Sequence, residues 1–130
     1  RNFRKEEFTS QIRSFLSLVK EYLPHTVILL TTPAESYKRV WQNKKRVYVR
    51  NQNAEKAAEA IISFAQSEGI ACWDLYAASG GNGSYKKWHA AKLFGRDRIH
   101  FTQEGYKEQG ALLYNALIHE LHPNQATEEE

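Results

Sequence analysis

Thr26-Val27-Ile28-Leu29-Leu30-Thr31-Thr32-Pro33 decides how this chain folds. The run is rich in leucine and β-branched residues, and Pro33 closes it. It does not alternate apolar with polar, so both of its faces are expected to be buried, as in a central parallel strand. Upstream, Arg1–Tyr22 predicts a helix, with Phe8, Ile12, Phe15, Leu16, Val19 and Leu23 spaced along one apolar face and Pro24 as the stop. Downstream, Asn51 or Asn53 is placed to cap a second helix running to about Ser67. Its face of Ala54, Ala57, Ala58, Ile61, Ile62 and Ala65 suits close packing on a sheet, and Gly69 sits where a helix ends. Ile70–Tyr76 then supplies a second apolar strand. A strand, a helix and a strand in that order imply a parallel sheet with helices on its faces. Two strands buried on both faces are too few, because independent stability needs three or more. Either the sheet is completed by residues N-terminal to Arg1 or by another chain, which is the favoured expectation, or the domain assembles differently from the pattern.

The length of 130 residues is that of one domain, and 42% hydrophobic with 12% aromatic residues is a globular composition. No apolar run approaches the roughly 20 residues of a membrane span. The chain has no Met and begins at Arg1, which is expected of a processed or truncated product. The single Cys72 lies in an apolar run and is expected to be a buried structural thiol.

Ala34–Arg50 shows no clean period. It interleaves Tyr37, Trp41 and Tyr48 with six of the eighteen cationic residues. A connection of this length in a compact domain is commonly functional. Tyr37, Lys38, Trp41, Tyr48 and Arg50 are candidates for contacting an anionic or saccharide ligand; a solvated loop anchored by its aromatics is the plainer reading. A glycine-rich loop with Gly80, Gly81 and Gly83 precedes a short helix over Ser84–Leu93, with Ser84 as its expected cap. Neither Ser79 nor Ser84 lies in a Gly-x-Ser-x-Gly elbow, so neither reads as a nucleophile.

The chemistry is concentrated in Asp97-Arg98-Ile99-His100-Phe101-Thr102-Gln103-Glu104-Gly105-Tyr106. A carboxylate three residues before a histidine can orient the imidazole and stabilise its charged form, which leaves the histidine able to act as a general base. Thr102 is placed to cap a final helix with Tyr106, Gly110, Leu113, Tyr114, Leu117, Ile118 and Leu121 on its core face. One Asp and one His cannot fill a tetrahedral metal shell. His25, His89, His119 and His122 have no comparable partner and read as solvated or structural.

The Asp97-x-x-His100 block with Phe101-Thr102 and Gly105-Tyr106, the strand Val27–Pro33, and the helix leading into Ile70–Tyr76 together resemble the C-terminal half of the SGNH hydrolases, the GDSL-type esterases and lipases. The resemblance runs from about Phe8 to Leu121. It implies an α/β fold, the C-terminal part of a three-layer, flavodoxin-like parallel sheet with its N-terminal strands absent. Residues 1–121 would form that portion of the domain, and residues 122–130 a mobile acidic tail. It further implies a serine esterase acting on a small acyl ester, such as an O-acetyl group on a carbohydrate, with Asp97 and His100 catalytic. The family's Gly-Asp-Ser and Gly-x-Asn-Asp blocks do not occur in the sequence. The nucleophile would thus lie in the missing N-terminal half or in another chain, and the isolated chain is expected to be inactive. No metal or organic cofactor is implied, nucleic acid is not an expected partner, and a secreted or periplasmic location follows from the family analogy. The competing expectation is a non-catalytic module that holds an anionic polymer or glycan through residues 37–50.

Overall fold

The computed structural model describes residues 2–122. Helix α1 (Lys5–Tyr22) carries Glu6 and Glu7 in its first turn, where they complement the helix dipole. Strand β1 (Leu29–Thr31) follows, then a hairpin of β2 (Tyr37–Gln42) and β3 (Lys45–Arg50). Next come α2 (Gln52–Glu68), β4 (Ala71–Trp73), the short helices α3 (Leu75–Ala78) and α4 (Ser84–Ala90), and the long α5 (Gln103–Leu121). Asn51 caps α2 by accepting from the Asn53 amide, and Gly69 ends it in the left-handed conformation at φ 64°. None of the described helices is long and apolar enough to cross a membrane.

β1 and β4 pair in parallel, with Leu29 opposite Ala71, Leu30 opposite Cys72 and Thr31 opposite Trp73. The Cβ direction alternates along each strand, so these pairs divide between two faces. Cys72 lies with Ile62 and Ala65 of α2. Leu29 and the β4 residues Ala71, Cys72 and Trp73 also border a groove with Leu113, Ala116 and Leu117 of α5. The sheet thus runs between helices, as the strand–helix–strand order requires. Of the α2 face read from the sequence, Ala54, Ala58 and Ala65 are buried and Ala57, Ile61 and Ile62 half-buried; Ala60, outside that face, is buried as well.

Three expectations are corrected. Thr26–Thr32 is a strand only over Leu29–Thr31. Val27 is 91% exposed and Leu29 40% exposed, because β1 has β4 along one edge and no strand along the other among the described residues. The supposed core face of α5 is likewise largely open, with Tyr106, Tyr114, Leu117, Ile118 and Leu121 exposed.

The third correction concerns Ala34–Arg50, which is not an irregular connection. From Tyr37 to its end it is an antiparallel hairpin, in register from Tyr37–Arg50 to Gln42–Lys45. Asn43 and Lys44 make the two-residue turn at φ 49° and 61°, the double positive-φ geometry that matches the twist of paired strands. Residues 123–130, most of the expected acidic tail, lie outside the described residues.

Candidate active site

The site forms at the C-terminal ends of β1 and β4, the end of a parallel sheet where ligands characteristically bind. Thr32 continues the pairing beyond β1 through its amide, which donates to the Trp73 carbonyl at 3.1 Å. Its buried hydroxyl donates to Asp74 Oδ1 at 2.8 Å and accepts from the Tyr76 amide at 2.9 Å. Asp74 in turn caps α3 by accepting from the Ala77 amide. These bonds tie the two strand ends together and fix where each chain segment leaves the sheet.

Glu35, four residues past the strand, is 2% exposed and fully engaged. Its carboxylate accepts from Arg50 Nε at 2.8 Å, from the Gly83 amide at 3.1 Å and from the Tyr85 amide at 2.8 Å. It therefore does for α4 what a local cap would do; Gly83 precedes that helix and has no side chain to offer, while Ser84 is its first residue and not its cap. Burial pushes the Glu35 carboxyl up, but the two amides and the Arg50 guanidinium outweigh it and hold the group below the usual carboxylate range. Arg50 also donates to Glu55 and to the Tyr76 hydroxyl at 2.8 Å each, and to Asn82. The Tyr76 hydroxyl donates to Asn82 Oδ1 at 2.6 Å. This network joins the end of the hairpin, the start of α2 and the glycine-rich loop.

The Asp97–His100 loop lies against the hairpin. The Tyr37 amide donates to the Arg98 carbonyl at 3.1 Å, and the Tyr48 hydroxyl to the Arg96 carbonyl at 3.2 Å. The Arg98 guanidinium lies 3.8 Å from the centroid of the Tyr48 ring. Below the loop, Phe94, Phe101, Tyr85 and Trp88 pack as aromatic neighbours. Behind it, Thr102 caps α5 by accepting from the Gly105 amide. Gly105 is required by close approach, because a Cβ there would stand 2.1 Å from the Leu93 carbonyl oxygen.

Within that frame Asp97 and His100 meet. Asp97 Oδ2 lies 2.6 Å from His100 Nδ1, and Oδ1 accepts from the amides of Ile99 and His100 at 3.0 Å each. The hydrogen bond from the His100 ring, followed by the two amides, brings the Asp97 carboxyl down to about 2. An ionised carboxylate at Nδ1 fixes that nitrogen as the proton-bearing one, which leaves Nε2 as the acceptor. The His100 side chain is 72% exposed, and Asp97 is its one side-chain hydrogen-bond partner among the described residues.

The other candidates fall into two groups. Tyr48 borders the Asp97 loop, and Tyr37 stacks on Tyr85 at a centroid distance of 4.1 Å with its backbone joined to Arg98. Lys38 and Trp41 are exposed on the hairpin, Trp41 with the Arg46 guanidinium 5.2 Å from its ring centroid. Arg50 is in the Glu35 network and is not on the Asp97 side. Among the described residues no three His, Cys, Asp or Glu side chains group as a metal site.

The fold has known counterparts. The chain matches a peptidoglycan O-acetylesterase with a TM-score of 0.74 at 20% identity, over 90% of this chain and 33% of that one. The fold is that of an SGNH hydrolase. A second match is the esterase domain of the ZfL2-1 ORF1 protein from the zebrafish ZfL2-1 retrotransposon, at TM-score 0.59 and 18% identity, over 89% of this chain and 60% of that domain. The chain thus spans a third of the first relative and three-fifths of the second. No protein-family model matches the sequence, and neither does any curated protein. The parallel pair β1–β4, the helices around it and the loop ahead of α5 thus make up a part of such a fold.

Proposed function

We propose that this chain supplies the base half of a serine ester hydrolase. One observation carries the proposal: an ionised carboxylate 2.6 Å from the Nδ1 of an exposed histidine, on the loop that enters the last helix of an SGNH fold. A serine hydroxyl is a poor nucleophile at neutral pH and needs an adjacent base. His100 Nε2 would take the hydroxyl proton as the serine oxygen bonds to the ester carbonyl carbon. The same proton would pass to the alkoxide as the bond to it breaks and the alcohol leaves. Water would then attack the acyl-enzyme, with Nε2 again accepting a proton, and the carboxylic acid and free serine would be restored. Throughout, Asp97 would hold the imidazole and stabilise the imidazolium.

No serine or threonine of the described chain hydrogen-bonds the His100 ring, so the nucleophile is assigned to the remainder of the SGNH domain or to another chain. The open side of the sheet supports this. A groove of about 610 Å³ runs along β1 between it and α1, lined by Phe8, Ile12, Phe15 and Val27 among others. A second, of about 690 Å³, lies between β1–β4 and α5. Strands added beside β1 would cover the exposed Val27 and Leu29, which border these grooves. The relatives' esterase activities and the exposed, cation-rich hairpin beside the loop favour an O-acylated saccharide as substrate. In a protein that unites this chain with a nucleophile-bearing half, acetate release from an acetylated polysaccharide should fall by about 10³-fold or more on His100→Ala, in line with the loss of a general base from a triad. Undiminished release would remove the assignment. A non-catalytic glycan-binding module, the second reading, would show saturable binding and no His100-dependent release.

A further inference from the structure

Beside Asp97 lies a concavity that no step of the proposed hydrolysis uses. It has a volume of about 430 Å³ and is lined by Arg39, Tyr48, Arg96, Asp97 and Ile99. Its two arginines come from separate elements, Arg39 from β2 and Arg96 from the loop ahead of Asp97. Neither makes an ion pair among the described residues. Asp97 places one negative charge on the same wall, so one of the two guanidinium charges is left without a counter-charge at the hollow. The walls are fixed in place: the Tyr48 hydroxyl is bonded to the Arg96 carbonyl and its ring is covered by Arg98. The hairpin adds Lys38, Lys44, Lys45 and Arg46 with no acidic residue between Tyr37 and Arg50. Two arginines that border one hollow and make no ion pair among the described residues suit an oxyanion, because each guanidinium offers a planar fork of donors that fits a carboxylate.

We propose that this hollow is an anion subsite, which binds the carboxylate of an acidic saccharide whose ester is presented to His100. The proposal rests on the ester-hydrolase reading for the second half of that statement, and on the hollow alone for the first. A single-stranded nucleic acid is the less suitable occupant. Such sites stack bases on open aromatic faces, and here the Tyr48 ring carries Arg98 and the Tyr37 ring lies on Tyr85.

The test is an NMR titration of the 130-residue chain with tri-galacturonate, against a neutral galactose trisaccharide and an oligothymidylate as comparison probes. Tri-galacturonate should bind in a saturable, salt-weakened manner and shift the resonances of Arg39, Tyr48, Arg96 and Ile99. Arg39→Gln and Arg96→Gln should each weaken it about tenfold, as expected for loss of one charged hydrogen-bonding group. Both side chains are exposed, so the fold should survive, and an unchanged amide spectrum away from the hollow checks this. The double variant Lys44→Gln/Lys45→Gln at the hairpin tip should change affinity less than twofold. Equal binding of the neutral sugar, tighter binding of the oligothymidylate, or a loss in the tip variant matching that of the arginine variants would each overturn the proposal. His100→Ala should leave the binding intact, so a failure of the hydrolase reading and a failure of the subsite give different results.

Discussion

Asp97 does more for its loop than face a histidine. One oxygen accepts the amides of Ile99 and His100, and the other receives the imidazole, so one carboxylate shapes the turn and orients the His100 ring. Arg98 pays for that turn with a left-handed backbone at φ 62°, stabilised by its guanidinium on Tyr48 and its carbonyl on the Tyr37 amide. The Asp97 carboxyl is brought from 3.8 down to about 2. Its folded-state value is depressed, so its contribution to stability is present above pH about 4 and is lost as pH falls toward 2. A carbon-detected NMR titration should find Asp97 still ionised at pH 3, and Asp97→Asn should flatten the pH dependence of unfolding in that window. A midpoint near 3.8 would show that the His100 contact is absent in solution. Gly105 sets a second constraint on the same stretch. Gly105→Ala would drive a methyl group into the Leu93 carbonyl, and should cost about 1–3 kcal/mol in denaturant unfolding, the range for overpacking. The Asp97–His100 pairing was legible in the sequence because both partners lie in one short loop. The role of Gly105 was not, since the backbone it touches belongs to a different segment.

At the scale of elements, the hairpin is what sequence patterning failed to show. Its strands alternate Val40, Val47 and Val49 with cations and aromatics, and both faces carry large side chains, so no clean polar–apolar period emerges. The turn is Asn43-Lys44, lacking the glycine that ordinarily marks such a turn. Lys44→Gly should relieve the left-handed strain and raise stability by up to about 1 kcal/mol, measurable as a higher denaturation midpoint. The Glu35 network escaped for another reason: its members, Glu35, Arg50, Glu55, Tyr76 and Asn82, meet only after the chain has folded back several times. Arg50→Ala would leave Glu35 buried with two amide donors but no counter-charge. Since Arg50 is partly open to water and those amides persist, the loss should be about 1–3 kcal/mol, below that of a fully buried pair. Amide exchange should quicken first across β2, β3 and the start of α4. By contrast the helices were well marked: Asn51, Gly69 and Thr102 occupy the caps their chemistry suggests.

For the whole molecule, the parallel pair and its helices followed from the strand–helix–strand order, and the match to an esterase fold at TM-score 0.74 agrees with it. Burial on both faces of β1 did not follow, and the discrepancy has a physical cause. The apolar character of Val27–Leu30 is what a sheet wider than two strands would require, whereas the described residues supply only β4 beside β1. The faces of α1 and α5 are exposed as well. On the proposed reading, these are surfaces that the rest of the domain would cover, with the Asp97–His100 loop at one end of them. The central claim is that this loop supplies the base for a nucleophile carried elsewhere. It is tested most directly by fluorophosphonate labelling of a protein that joins the 130-residue chain to the remainder of an SGNH domain. Mass spectrometry should place the label on a serine outside the 130 residues, and His100→Ala should slow labelling at least about 10³-fold. Labelling of a serine within the chain, or labelling indifferent to His100, would contradict the claim.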